Sequence, residues 1–181
     1  MYRIRFHGRG GQGMKTASRI LGTAFFLQGY EVQDAPRYGA ERRGAPILAY
    51  VRADETPINE RGIIPQADLV IVADDSLVPV PGAGVLAGVD EHTVILINSD
   101  ESPKVWKQRL NISGKVFTLP VETEDRAELR FIGATCTGAA AKILGVITRE
   151  SLSQANKGEL GALGKDVVKN NLPKALTAFD M

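Results

Sequence analysis

Apolar residues at the start of the chain follow the two periods that distinguish strands from helices. Apolar and basic residues alternate over residues 2–7, which is typical of a β-strand. Over residues 12–28 apolar positions recur every three or four residues, which predicts an amphipathic helix that Gly29 ends. A second strand is expected over residues 30–35. We expect the two strands to pair in parallel through a right-handed helical crossover.

Short, continuous apolar runs further along predict strands that are buried on both faces. Residues 69–73 are LVIVA and residues 94–98 are VILIN. Both runs are rich in β-branched side chains, as is common in the interior of a parallel sheet. The pattern also predicts strands over residues 47–52 and 115–119, and a short helix over residues 103–110.

After residue 125 the pattern becomes helical. Helices are predicted over residues 134–144, from an N-cap at Thr148 to Ala155, and over residues 165–179. The segment NKGELGALG between the last two is expected to be a flexible link, because it is rich in glycine. We therefore predict one α/β domain over residues 1–181. It is a three-layer Rossmann-like domain with a mostly parallel sheet and a helical C-terminal part from about residue 134.

Composition narrows the range of partners. The chain has 22 Lys and Arg against 21 Asp and Glu, a net charge of +1, so bulk charge does not indicate a nucleic-acid or membrane surface. Its apolar runs are too short to span a bilayer, and residues 1–7 do not resemble a signal peptide. We expect a cytoplasmic protein that binds neither nucleic acid nor a membrane.

The chain contains few residues suited to difficult chemistry. The single cysteine, Cys136, cannot form an internal disulfide, a CxxC redox pair or an iron–sulfur site. The two histidines, His7 and His92, lack the spacing of metal ligands, and there is no G-x-S-x-G motif. We predict no catalytic residue and no metal site. Cys136 is expected to be buried and inert, His7 to be packed, and Trp106 to anchor its helix to the core or to a partner.

A glycine-rich loop follows the first predicted strand and matches the G-x-G-x-x-G fingerprint of dinucleotide-binding folds. Its residues are Gly8, Arg9, Gly10, Gly11, Gln12 and Gly13. In that fingerprint the loop and the helix N-terminus bind a pyrophosphate, and an acidic residue about 20 positions later holds a ribose hydroxyl. Asp34 has this spacing. The bulk of Arg9 and Gln12, and the Pro36 that follows Asp34, count against NAD. Anion binding, NAD binding and a plain tight turn all remain open.

Three segments together carry a resemblance to a known family. IRFHGRGGQG, YGAERRGAPILAYVR and ADLVIVAD resemble the gamma subunits of the 2-oxoacid:ferredoxin oxidoreductases, and in particular that of pyruvate:ferredoxin oxidoreductase (pyruvate synthase). The resemblance covers nearly the whole chain and ends in VVKNNLPKALTAF, which is similar to the closing helix of the family.

The resemblance implies a reaction that is shared among subunits. Pyruvate is decarboxylated on thiamine diphosphate, oxidised through iron–sulfur clusters to ferredoxin and passed to coenzyme A. Alpha and beta subunits hold the thiamine site, and beta and delta subunits hold the clusters. The gamma subunit contributes to assembly and to the binding of coenzyme A. A chain with one cysteine agrees with this division, because it cannot carry the clusters itself.

The resemblance also suggests what the predicted site binds. The glycine loop, with Arg37, Arg42 and Arg43, would contact either a phosphate of coenzyme A or a partner subunit. Asp74 and Asp75 end a strand at the same edge and are expected to be structural or interfacial. Three alternatives stay open: a 2-oxoglutarate, branched-chain or indolepyruvate enzyme, a free-standing NAD(P)-binding oxidoreductase, and a pure assembly module.

Overall fold

The computed structural model describes residues 1–37, 44–119 and 131–181. Within these ranges the strands are β1 (Tyr2–Arg9), β2 (Glu31–Arg37), β3 (Pro46–Asp54), β4 (Leu69–Val72), β5 (Val94–Asn98) and β6 (Lys115–Leu119). The helices are α1 (Met14–Leu27), α2 (Pro103–Leu110), α3 (Ile132–Leu144), α4 (Arg149–Gly161) and α5 (Lys165–Asp180). No helix in the same ranges is long and apolar enough to cross a bilayer.

The six strands form one sheet in the order β2-β3-β1-β4-β5-β6. Strands β1, β4, β5 and β6 are parallel, whereas β3 is antiparallel to both of its neighbours. The predicted α/β class and mostly parallel sheet are confirmed.

The expected pairing of β1 with β2 is wrong. Strand β3 lies between them and pairs with β1 from Tyr2 opposite Ala53 to Arg9 opposite Pro46. The connection from β2 to β3 is too short for a crossover, so the chain turns back and the two strands pair antiparallel. The crossover through α1 therefore passes over one strand position, which β3 fills.

Two separate hydrophobic clusters cover the two faces of the sheet, as expected for three layers. On one face Ile4 and Phe6 of β1 pack with Leu21 and Phe25 of α1, and helices α3, α4 and α5 extend this cluster. On the other face Trp106 of α2 packs with loop residues and with Val70 and Ile95 of the sheet, among others. The prediction that Trp106 anchors its helix to the core is confirmed.

Two polar side chains of β1 form hydrogen bonds to the loops that cover the α2 face of the sheet. Arg5 donates a hydrogen bond from Nη2 to the Val85 carbonyl at 3.0 Å, and His7 Nδ1 lies 3.1 Å from the Ala83 carbonyl. His7 is almost completely buried, which confirms its predicted packing role. Burial, reinforced by the nearby positive charge of Arg5, lowers the pKa of His7 from 6.5 to about 4. The imidazole is therefore neutral over the physiological range.

Helices α3 and α5 approach closely because α3 has a glycine where they cross. A Cβ built on Gly138 would lie 1.9 Å from the Ala175 carbonyl oxygen. Cys136, two positions earlier, is fully buried, and burial raises the pKa of its thiol to about 12. The predictions of close helix packing and of a buried thiol in this stretch are both confirmed.

Helix α4 begins where the sequence indicates and ends later. Thr148 is the N-cap, and its hydroxyl oxygen accepts from the Ser151 N–H at 3.2 Å. The flexible link expected over NKGELGALG is wrong for its first part, because α4 continues to Gly161. Asn156 and Leu160 in this part are buried, and Asn156 donates to the Leu152 carbonyl at 2.9 Å. Packing therefore offsets the unfavourable helix propensity of the glycines.

Candidate functional site

The candidate site lies at the edge of the sheet where the parallel strands end. After β1 the chain passes into α1 on one face, whereas after β4 it passes into the loops that cover the other face. In doubly wound sheets such a change of direction opens a crevice at the carboxyl ends of the strands, and ligands commonly bind there. The glycine loop follows β1 at this edge, and Asp74 and Asp75 follow β4.

The glycine loop makes a tight turn from β1 into α1. Gly11 and Gly13 have φ values of 99° and 74°, a left-handed conformation that favours glycine. Gly8 leaves space for other side chains, since a Cβ there would lie 2.5 Å from Cγ of Met14. Gly13 is the N-cap of α1 and contributes no side-chain cap. The positive end of the α1 dipole therefore lies at the edge of the sheet, as anion binding requires.

Arg9, the last residue of β1, bonds to three other segments. Its Nε donates to Asp74 Oδ2 at 2.8 Å, its Nη2 donates to Ser76 Oγ at 2.8 Å, and its Nη1 donates to the Gly44 carbonyl at 3.0 Å. Each donor has a different partner, so the geometry uses the planar fork of a guanidinium. Arg9 thus bridges the crevice between β1 and β4.

Gln12 connects the glycine loop to the same carboxylate. Its Oε1 accepts from the Arg9 N–H at 2.7 Å, and its Nε2 lies 3.4 Å from Asp74 Oδ2. The other oxygen of Asp74 accepts from the N–H of Ser76 at 3.1 Å and from its hydroxyl. We call these four residues, Arg9, Gln12, Asp74 and Ser76, the Arg9 network. The expectation of a structural role for Asp74 agrees with this geometry.

Among the predicted arginines, Arg37 is the last residue of β2 and its backbone lies at the same edge of the sheet as Arg9. Arg42 and Arg43 lie outside the described residues. Residues 44 and 45 are hydrogen-bonded to the glycine loop. Arg9 Nη1 donates to the Gly44 carbonyl and the Gly10 N–H donates to the Ala45 carbonyl, each at 3.0 Å.

Asp34 is placed differently from the acidic residue of a dinucleotide site. It lies three residues before the end of β2, and β3 separates it from β1. Its Oδ1 accepts from Ser18 Oγ of α1 at 2.7 Å. Burial raises the pKa of its carboxyl, and the Ser18 hydrogen bond opposes this effect only in part. The carboxylate is thus bound to α1, away from where a ribose would extend from the loop, and this weakens the NAD interpretation.

The neighbouring Asp75 belongs to a second chain of hydrogen bonds. Its Oδ2 accepts from Ser99 Oγ at 2.6 Å, and Ser99 Oγ accepts from Trp106 Nε1 at 3.1 Å. This chain ties the ends of β4 and β5 to α2. Ser76 and Ser99 were not among the predicted residues. Ser99 directly follows β5, and Ser76 directly follows Asp74 and Asp75 in the turn after β4, which is their only signal in the sequence.

The start of helix α3 packs closely against the backbone of the glycine loop. A Cβ on Gly133 would lie 3.0 Å from the Gly13 carbonyl oxygen and 3.1 Å from that of Gln12. A cavity of about 440 Å³ lies between the starts of α1 and α3 and the facing parts of α4 and α5. The described part of the chain contains no group of three or more His, Cys, Asp or Glu that could hold a metal ion.

The fold and the glycine loop define a Rossmann-like α/β domain with a tight glycine turn at the N-terminus of its first helix. The family model described as pyruvate ferredoxin/flavodoxin oxidoreductase matches residues 3–181, and the chain belongs to this family.

Relatives cover the chain almost end to end. The chain is 40% identical over 168 residues to the pyruvate/ketoisovalerate oxidoreductases common subunit gamma of Pyrococcus abyssi, covering 89% of this chain and 90% of the relative. It is 34% identical over 183 residues to the pyruvate synthase subunit PorC of Methanocaldococcus jannaschii, covering 96% and 98%. The crystal structure of the pyruvate oxidoreductase subunit PORC of Thermotoga maritima has a TM-score of 0.77 at 25% identity, covering 99% and 95%.

Proposed function

We propose that the chain is the gamma subunit of a multi-subunit 2-oxoacid:ferredoxin oxidoreductase that acts on pyruvate. The enzyme catalyses the oxidative decarboxylation of pyruvate to acetyl-CoA and CO2 and reduces ferredoxin. The observation that carries the proposal is the match of the family model to residues 3–181, together with relatives named as gamma and PorC subunits that align over most of their length.

The chemistry of this proposal is carried by partner subunits. The single cysteine of the chain is buried in α3, so an iron–sulfur cluster has no ligands here. We assign the clusters and the thiamine diphosphate to the alpha, beta and delta subunits in the cytoplasm. The isolated chain is then expected to be inactive.

The chain's own contribution is to bind coenzyme A and to support assembly. The residues at the sheet edge suit a diphosphate, because the N-terminus of α1 has no side-chain cap and no atom lies within 4 Å of where a Cβ on Gly11 would be. Arg37 lies at the end of β2 on the same edge, and Arg42 and Arg43 follow it in sequence. When bound, coenzyme A supplies the thiol that accepts the acyl group. The loop would hold its phosphates and orient the thiol arm toward the partner subunits.

Affinity capture of the tagged chain from its native cells, under anaerobic conditions, tests the assignment. We expect partner subunits that carry thiamine diphosphate and clusters to co-purify, and the captured complex to oxidise pyruvate in a coenzyme A-dependent way. Capture of the chain alone would contradict the proposal.

A second substrate has specific support. The Pyrococcus abyssi relative is named as a subunit common to pyruvate and ketoisovalerate oxidoreductases. A gamma subunit of this kind would serve a branched-chain 2-oxoacid enzyme as well. Capture from the same cells would then yield two sets of partners, one active on pyruvate and one on ketoisovalerate. A single set active on pyruvate alone would contradict the second substrate.

A further inference from the structure

We propose that Arg9 is a positioning residue that, with Gln12 and Asp74, fixes the glycine loop in its anion-binding conformation and does not itself bind the anion. The inference rests on the proposed binding of coenzyme A at this loop. It changes the role that the sequence suggests for Arg9 and Gln12, which lie inside the fingerprint and were expected to contact a phosphate of coenzyme A or a partner subunit.

The Arg9 guanidinium is already hydrogen-bonded within the chain. Three of its nitrogens, Nε, Nη1 and Nη2, donate to three different acceptors within the chain, and the Asp74 carboxylate neutralises its charge. Only about a third of the Arg9 side chain is exposed, 33%. These bonds use three of its five N–H groups, and the Asp74 carboxylate beside it would repel a phosphate that approached the other two.

The Arg9 network contacts the glycine loop where the loop begins. Gln12 is nine-tenths buried, and its Oε1 accepts from the backbone N–H of Arg9, the last residue of β1. Its Nε2 contacts the Asp74 carboxylate, so this one side chain links the start of the loop to the turn that follows β4. The loop needs such bracing because Gly11 and Gly13 leave its backbone conformationally free.

The Arg9 network lies between the ends of two adjacent strands of the sheet. Arg9 ends β1 and Asp74 follows β4; these two strands are adjacent and parallel, and their connections leave toward opposite faces. The crevice between them is the position where a ligand group would otherwise enter. Because Arg9 and Asp74 are bonded to each other across it, the groups of the loop that remain for an anion are its main chain and the N-terminus of α1.

The test uses the assembled enzyme and compares Michaelis constants. Asp74→Asn removes the charge that holds Arg9, and Arg9→Lys keeps the charge but loses the three-way fork. We expect each to raise the KM for coenzyme A about tenfold, as for loss of a charge-assisted hydrogen bond. The KM for pyruvate and the kcat at saturating coenzyme A should stay within about twofold. The double variant should be no worse than either single one, because both changes break one network.

Direct binding of the anion by Arg9 would give a different pattern. Asp74→Asn would then free the guanidinium and leave the KM for coenzyme A unchanged or lower, while Arg9→Lys would raise it. That pattern would overturn the inference. If Asp74→Asn does not assemble, Gln12→Ala removes only the amide brace, and an unchanged KM for coenzyme A in this variant would overturn the inference as well.

Two further variants separate this inference from the proposed function. Gly11→Ala alters the loop backbone where no neighbouring atom lies within 4 Å, and an unaltered KM for coenzyme A there would refute binding at the loop itself. Asp180→Asn is the matched control, since it breaks an exposed Arg–Asp pair, with Arg149, at the opposite end of α1 from the loop. It should change neither Michaelis constant.

Discussion

Replacement of the buried histidine of β1 should change how the chain responds to acid. His7 has a pKa of about 4 in the folded chain against 6.5 as its ordinary value, mainly because it is buried. Between these two pH values His7 is mostly protonated in the unfolded chain and mostly neutral in the folded chain. The free energy of unfolding therefore falls as the pH falls. The full difference corresponds to about 3 kcal/mol below pH 4, and to about 2 kcal/mol at pH 5.

The geometry explains why the folded chain refuses this proton. If His7 donates from Nδ1 to the Ala83 carbonyl, a second proton would go to Nε2, which has no hydrogen-bond partner among the described residues. The added charge would also face Arg5, two positions away on the same side of β1. Both the missing acceptor and the like charge disfavour the imidazolium.

The measurement is urea unfolding of the purified chain at pH 7, 6 and 5, for wild type and for His7→Gln. The variant cannot take up the proton, so the wild type should lose about 2 kcal/mol more than the variant between pH 7 and pH 5. His92→Gln is the control, because the His92 side chain is 86% exposed. Parallel pH curves for wild type and His7→Gln would refute the reasoning.

Three other predictions concern the helices and the Asp34 contact. Gly138→Ala should destabilise the chain by about 3 kcal/mol in urea unfolding, because its Cβ would overlap the Ala175 carbonyl. Gly158→Ala, on the exposed face of α4, is the control and should stabilise the chain by about 0.5–1 kcal/mol. Equal effects of the two substitutions would contradict the close crossing of α3 and α5. The raised pKa of Asp34 means that its ionised form destabilises the folded chain, so Asp34→Asn should raise the Tm at pH 7. The difference in Tm should disappear as the pH falls below the ordinary pKa of an aspartate, because the wild-type carboxyl is then protonated in both states. A Tm that falls at pH 7 would count against a raised pKa. Cys136 should resist a thiol reagent in the native chain and react fully in urea; fast native labelling would contradict its burial.

Local patterns predicted most elements of the fold. Period-two and period-3.6 spacing placed β1 and α1, and the predicted bounds of α2 and β6 agree with the structure. The partner of β1 was not predictable in this way, because pairing depends on residues far apart in sequence. Similarly, Asn156 and Leu160 lie in a segment whose glycines favour a loop, and only their burial against other helices shows why it is helical.

The candidate site was predictable in its location and not in its internal contacts. The glycine spacing and the strand ends indicated that the loop, Asp74 and Asp75 share one edge of the sheet, as the structure shows. The bond from Arg9 to Asp74 joins residues 65 positions apart, and no local pattern carries that information. The same type of residue, an arginine in a glycine loop, suits a phosphate ligand and an internal brace equally well, so its role depends on the acceptors around it.

The central claim is that this chain works only as a subunit, and that the enzyme needs it. The most direct measurement is acetyl-CoA formation from pyruvate by purified partner subunits, with ferredoxin as acceptor, before and after addition of this chain under anaerobic conditions. We predict no turnover by the chain alone, and coenzyme A-dependent turnover that appears when the chain joins its partners in stoichiometric amount. Full activity of the partners without the chain, or turnover by the chain by itself, would contradict the account.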